Sequence, residues 1–382
     1  MNDSLKLLEY FEARRDESLQ TLRRLVDLES NSLDKQGVDA LAAYLARMFE
    51  SMGAEVQVLP HKTRGNALEV LWRTGGTKAP VLILGHLDTV WPKGTVRSRP
   101  FRVEDGKAYG PGIFDMKSGI LLALMFCEAL AGKMVDPGRD IRFFFSADEE
   151  VGTQAGLPHL KRIAQGCRAV LCLEPPLPGG KAKTFRKGVG SFRLRVQGIP
   201  AHAGVDPEKG ANALLELSKL VIEIHKMTDY SRGLTASVCT FRAGTAVNVI
   251  PAEAEAEVDL RFSSSADGLW LEERIRSLQP SDPRCTLSIE GELNRPPLER
   301  TGAVVGLYQR ARAVAANLGM DLGEGSTGGG SDGSFTAAMG IPTLDGLGVA
   351  GDGAHALHEH IEIDDIPRRG ALLCGFVASL ED

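Results

Sequence analysis

Val81-Leu82-Ile83-Leu84-Gly85-His86-Leu87-Asp88 is an apolar run that stops on a histidine and an aspartate. A continuous apolar run of this length, closed by glycine, predicts a strand buried on both faces, as in a parallel sheet. Three other segments repeat the plan. Ile141-Arg142-Phe143-Phe144-Phe145 leads into Asp148-Glu149-Glu150, Ala169-Val170-Leu171-Cys172-Leu173 leads into Glu174, and the apolar stretch 341–349 leads to His355. Between the first two lies Gly110-Pro111-Gly112-Ile113-Phe114-Asp115, followed by a helix-like run over 118–130. That run is apolar almost all round, so a deeply packed helix is expected. Ligand crevices of open α/β sheets lie outside the carboxyl ends of the strands. The acidic and histidine side chains at these four strand ends should therefore meet.

Working outward, residues 5–52 read as two amphipathic helices separated by the polar segment 29–37. Strand-like and helical runs alternate from there to about residue 188, the signature of an α/β domain with a mostly parallel sheet. The pattern then changes. Ser191-Phe192-Arg193-Leu194-Arg195-Val196 alternates like a strand with one wet face. Helix-like stretches near 208–227 and 269–278, with strands near 235–241, 253–262 and 285–290, give the order β-α-β-β-α-β of a ferredoxin-like unit. After Pro296-Pro297 the α/β pattern resumes with a helix over 303–318. The expected layout is a discontinuous catalytic domain, 1–186 and 295–382, carrying an α+β insert at 187–294.

At 382 residues two domains are the natural expectation. A net charge of −6 argues against nucleic acid or an anionic membrane as partner, because both call for a basic face. The longest apolar run, 120–127, is too short to span a bilayer, and no basic-then-apolar leader opens the chain. Its six cysteines form no CxxC pair, which fits reduced thiols and a cytoplasmic location.

Zinc takes imidazole nitrogen and carboxylate oxygen, and a catalytic site keeps a coordination position open. Two metals sharing one carboxylate need about two further ligands each. His86, Asp115, Glu150, Glu174 and His355 supply that set, leaving the adjacent Glu149 free to take a proton from water. Asp88, two residues after His86, can orient the imidazole from behind. His358 and His360, close to His355, remain open as ligands in its place. The other histidines 61, 159 and 225 sit in polar or helical contexts and are expected at surface or core.

These motifs resemble those of the M20 metallopeptidases, particularly the glutamate carboxypeptidases of carboxypeptidase G2 type. The resemblance rests on Gly85-His86-Leu87-Asp88-Thr89-Val90, Gly110 to Lys117, Asp148-Glu149-Glu150, Leu173-Glu174-Pro175 and Gly353-Ala354-His355. It implies a zinc-exopeptidase-like α/β fold in which His86 and Glu174 hold one metal and Glu150 and His355 the other. Asp115 would bridge them, Glu149 would be the general acid/base, and Asp88 would support His86. The family pattern places a Glu four residues after the ligand histidine, which favours His355 and marks Glu359. His358 departs from that pattern. The family's peptide bond after the bridging aspartate is often cis, which here would be Asp115-Met116.

The resemblance also makes the insert a lid and dimerisation domain, and so implies a homodimer. His202, in Ile199-Pro200-Ala201-His202-Ala203-Gly204, would reach the partner's site and stabilise the tetrahedral intermediate. Asn248 and Arg261 match residues that grip a substrate's terminal carboxylate, and a guanidinium fork suits that task. Arg295 is either a further member of that pocket or a surface charge, and Gly329 lies in a glycine-rich substrate loop, 328–334. The implied reaction is hydrolysis of an amide bond to a C-terminal amino acid, glutamate first, by an enzyme holding two zinc ions, with cobalt or manganese as alternatives. An N-acyl-amino-acid deacylase is the second expectation, and a non-catalytic scaffold homologue is the reading from another class.

Overall fold

The computed structural model describes residues 3–381. It contains two compact units: one takes the residues up to Phe185, Arg300–Thr327 and Ser331 onward, the other Arg186–Glu299 with Gly328–Gly330.

A six-stranded mixed sheet forms the spine of the first unit, in the order Glu55–Leu59, Ala67–Trp72, Arg139–Ser146, Lys78–His86, Ala169–Cys172, Thr343–Leu344. The last four strands run parallel, and the two at the opposite edge are antiparallel. Successive side chains of a strand point to opposite faces, and the apolar runs fill both. Val81, Ile83, Phe143 and Phe145 pack into one core with the helix Ser118–Ala131. Leu82, Leu84, Phe144 and Val170 pack into another with Leu160 and Ile163 of the helix Leu157–Ala164. The buried-strand reading of these runs holds. Phe144→Ala should lower stability by about 3–5 kcal/mol through the cavity it leaves, read as a lower urea midpoint at unchanged metal content.

The strand Lys78–His86 lies between its parallel neighbours Arg139–Ser146 and Ala169–Cys172. The chain leaves it on one side and crosses to the other, so its carboxyl end opens at a topological switch point. There the backbone of Gly119 comes so close to the carbonyl of Leu173 that a Cβ would meet it at 2.2 Å.

Two expectations are corrected here. The N-terminal region forms three helices, Asp3–Glu12, Arg15–Asp27 and Lys35–Met52. The break at Ala13-Arg14 lets the first helix pack on Asp365–Ser379 while the second turns onto Ser118–Ala131. The stretch 341–349 is also no long strand. Only Thr343–Leu344 pairs in the sheet, and His355 follows on a loop. Apolar character there serves burial of loop residues Leu347 and Val349, which periodicity cannot tell from a strand.

The second unit has the β-α-β-β-α-β order and an antiparallel sheet, Thr235–Ala243, Glu253–Phe262, Gly188–Gln197, Thr286–Arg295. Its helices Ala213–His225 and Ser265–Arg276 cover one face, where Phe192, Leu194 and Val196 are buried. On the wet face Arg193 pairs with Glu257 and Arg195 with Glu255. All six cysteines are free thiols, and among the described residues no helix is long and apolar enough to cross a membrane.

Candidate metal centre

His86 ends its strand fully enclosed, with Nδ1 2.9 Å from the main-chain oxygen of Asp88. That contact points Nε2 outward, 3.1 Å from Asp115 Oδ1 and 3.5 Å from Glu174 Oε1. Asp115 sits in the turn Ile113–Lys117 with non-helical backbone (φ −117°, ψ 97°), and its bond to Met116 is cis, as the resemblance implied. The turn begins at Gly112, whose φ of +71° and whose approach to Thr89 Cγ2, 2.5 Å from an added Cβ, exclude a side chain.

The second oxygen of Asp115 faces the other histidine, with Oδ2 3.4 Å from His355 Nε2. Glu150 Oε1 lies 3.1 Å from the same nitrogen. One carboxylate therefore divides its two oxygens between two imidazoles, with Glu174 beside the first and Glu150 beside the second. Ligand atoms of His86, Asp115 and Glu150 all lie within 4.8 Å of one another. His355 has left-handed backbone, φ +62°, and its side chain is 48% exposed, so the cluster opens to solvent on that side. A non-glycine residue held in this region costs of order 1–3 kcal/mol and is found mostly at functional sites.

The charges fit a cation site. Burial works against a charge on His86, yet Asp115, Asp88 and the nearby Glu149 hold its pKa well above the usual imidazole value. Hydrogen bonds to Asp115 and Glu150 push His355 up to about 10. Burial raises Asp115, but the bonds from both histidines outweigh it and leave this carboxyl well below the carboxylate range. For Glu150 burial wins and the pKa rises despite the bond to His355. This corner of the protein thus favours positive charge between its carboxylates. A nitrogen and oxygen donor set of this kind suits zinc and its neighbours among the divalent metals.

Glu149 is nearly buried and lines a small cavity with His86, Glu174, Cys172 and Asp332. Asp88 lies behind it. Its carboxylate accepts the Glu149 amide at Oδ1 and the Glu150 amide at Oδ2, both at 3.1 Å, and the Ser32 hydroxyl at 2.6 Å. The Asp88 carboxylate is 3.5 Å from His86 Nδ1, farther than its own carbonyl. Asp88 thus steadies the acidic turn as much as the imidazole. Asp332 accepts the hydroxyls of Ser146 and Thr153 on either side of that turn.

Of the open histidines, His358 is exposed and 4.0 Å from Asp352, while His360 leans on the ring of Tyr109. Neither shares the contacts of His355 with Asp115 and Glu150. His61 and His225 are exposed and His159 is half-buried.

In the second unit His202 and Asn248 lie on facing segments. His202 bridges Val249, and the Ala203 amide donates to the Asn248 carbonyl at 2.9 Å. Arg261 points its fork at Asp259, two bonds of 2.9 Å, and gives Nη1 to the Gly328 carbonyl at 3.1 Å. Arg186 donates to the carbonyls of Gly329 and Gly330. Arg295 is buried, its Cδ 2.8 Å from where a Cβ on Gly330 would stand.

Other side chains brace the segments described above, each within its own unit. Ser32 comes from a segment that looked like a plain connector but pairs with Thr89. Lys117 is buried and donates to the carbonyls of Val26 and Leu28 at the end of the helix Arg15–Asp27. Arg186 is one more charge at the end of a strand until the glycine loop meets it.

The sequence pattern of Peptidase family M20/M25/M40 matches residues 82–379. Carboxypeptidase G2 of Pseudomonas sp. (strain RS-16) is 32% identical over 374 residues, covering 94% of this chain and 89% of that protein. A succinyl-diaminopimelate desuccinylase of Stenotrophomonas maltophilia (strain K279a) is 28% identical over 360 residues, 90% of this chain and 93% of that protein. Among solved structures, the aminopeptidase PepT of Bacillus cereus ATCC 10987 shares the fold with a TM-score of 0.79 at 20% identity, over 95% of this chain and 98% of that one. The match across most of the chain, together with the clustered His, Asp and Glu donors, makes this protein a hydrolase belonging to the M20/M25/M40 peptidase family, whose enzymes typically carry a dinuclear metal site.

Proposed function

We propose that this protein is a two-metal exopeptidase that hydrolyses the amide bond to a C-terminal amino acid, with glutamate the residue released. The observation that carries the reading is the divided Asp115 carboxylate, one oxygen toward His86 and the other toward His355, with Glu149 lining a small cavity beside His86 and Glu174. His86 and Glu174 would hold one ion, Glu150 and His355 the other, and Asp115 both. Zinc is the first candidate, cobalt and manganese the alternatives. Bound divalent ions acidify water and polarise an amide carbonyl.

Glu149 takes the proton of the attacking water and delivers it to the departing amine nitrogen, so one water yields one acid and one amine. Asp88 keeps that carboxylate aimed by gripping its backbone amide. Asn248 and Arg261 bind the free α-carboxylate, with Asp259 pre-orienting the Arg261 fork, and Arg295 and Gly329 belong to the same recognition surface. His202 steadies the developing oxyanion across a homodimer. The second unit (187–294 by sequence) acts as lid and dimerisation domain, and the enzyme works in the cytoplasm. The likeness to the desuccinylase supports one rival, removal of an acyl group from an amino acid.

Zinc-loaded protein incubated with benzoyl-, folate-like and acetyl-glutamates decides between them. Chelator-sensitive release of glutamate from the aromatic acyl compounds is the expected result. Cleavage of acetyl compounds alone moves the protein to the deacylases, and release of nothing rejects glutamate as the leaving residue.

A further inference from the structure

Glu359 is fully buried, 0% exposed, and its carboxylate is filled by four N–H donors. Oε1 accepts the amides of Phe114 at 3.0 Å and Asp115 at 3.1 Å. Oε2 accepts the amide of Gly112 at 2.9 Å and the indole Nε1 of Trp91 at 2.7 Å. The donors come from the turn that carries Asp115 and from the segment that follows His86 and Asp88. Glu359 itself lies on the loop that carries His355. A single side chain ties together three segments bearing the proposed metal donors. Arg99 braces the same assembly from outside. Its guanidinium lies 4.4 Å over the Trp91 ring and donates to the Leu357 carbonyl, between His355 and Glu359.

We propose that Glu359 is a positioning residue that sets the two-metal spacing, by fixing the Asp115 main chain relative to the His355 loop, with Trp91 as its indole partner. The proposal rests on the metal reading above. Its physical basis is that a carboxylate with two neutral N–H donors on each oxygen is a rigid anchor in low dielectric. Asp115 can divide its oxygens between two imidazoles only if its backbone does not drift. Loss of an outer partner typically reduces metal affinity or activity roughly 10–100-fold.

Glu359→Gln is the sharpest test. The side chain keeps its shape, but its NH2 must face one pair of N–H donors, so either Phe114 and Asp115 or Gly112 and Trp91 lose their acceptor. Trp91→Phe removes one donor only. Glu216→Gln serves as the control, because Glu216 is another buried carboxylate gripping main-chain amides, those of Ser281 and Asp282 in the second unit. Each protein is equilibrated against graded free zinc, its metal content measured, and its thermal unfolding followed. Glutamate release is then measured at saturating metal on whichever N-acyl-glutamate the wild type cleaves.

The expected result for Glu359→Gln is one metal equivalent held at least tenfold more weakly and kcat at least tenfold lower, with KM within threefold. Trp91→Phe should move the same quantities less. Glu216→Gln should unfold earlier with metal uptake unchanged. Two equivalents bound by Glu359→Gln with wild-type affinity and kcat overturn the proposal. So does an equal loss of metal in the Glu216 control, which would make the effect one of general stability. A wild-type protein that takes up no metal overturns the metal reading and this inference together.

Discussion

Glu149→Gln is expected to keep two metal equivalents and the fold but to lose roughly 10²–10⁴-fold in kcat, a loss of about 3–5.5 kcal/mol in transition-state stabilisation. The substitution preserves volume and leaves the backbone amide on Asp88 Oδ1 in place. What it removes is the carboxylate proposed to accept and return the proton, its neighbour Glu150 facing His355 instead. An amide side chain does neither. The measurement is steady-state glutamate release at saturating substrate, with metal content determined on the same sample. A variant turning over within a few-fold of wild type would show that the base lies elsewhere.

Asp115→Ala should do more, because it removes a donor from both halves of the site at once. The expected outcome is loss of tightly held metal and activity at the level of the metal-free protein. Thermal unfolding tests this without any substrate. Ligand present at 100 times its Kd stabilises a native protein by about 2.7 kcal/mol, so zinc should raise the unfolding temperature of the wild type and chelator should lower it. In Asp115→Ala that zinc-dependent rise should vanish. A variant that still gains stability from zinc, with two equivalents bound, would mean that Asp115 is not shared. The fully enclosed His86 makes the loss severe, since its Nε2 faces Asp115 and Glu174.

His86, Glu150 and Glu174 were legible because they follow strands whose burial is written in composition. Phe143-Phe144-Phe145 can only be interior, so the acidic residues after it must emerge at the sheet's carboxyl edge. Local chemistry left the choice among His355, His358 and His360 open. Loop geometry decides which of them meets the acidic cluster: a left-handed His355 faces Asp115 and Glu150, while His360 turns to Tyr109. The short pairing at Thr343–Leu344 was hidden for a related reason, since buried loop residues and strand residues carry the same apolar signal. Arg261 shows another limit. A fork suited to a carboxylate was foreseen, but its engagement with Asp259 depends on side chains two apart on one strand pointing the same way.

The amino-acid order was sufficient for the α/β class, most of the buried strands and the ferredoxin-like order of the second unit, because burial periodicity and short motifs are local properties of a chain. Folding in three dimensions settled what depends on contacts between distant segments. The grip of Asp88 on the Glu149-Glu150 turn spans 61 and 62 positions. The reach of Glu359 to Asp115 spans 244. A carboxylate's hydrogen-bond partners are chosen by which amides burial brings within 3 Å or so, and no local pattern encodes that selection.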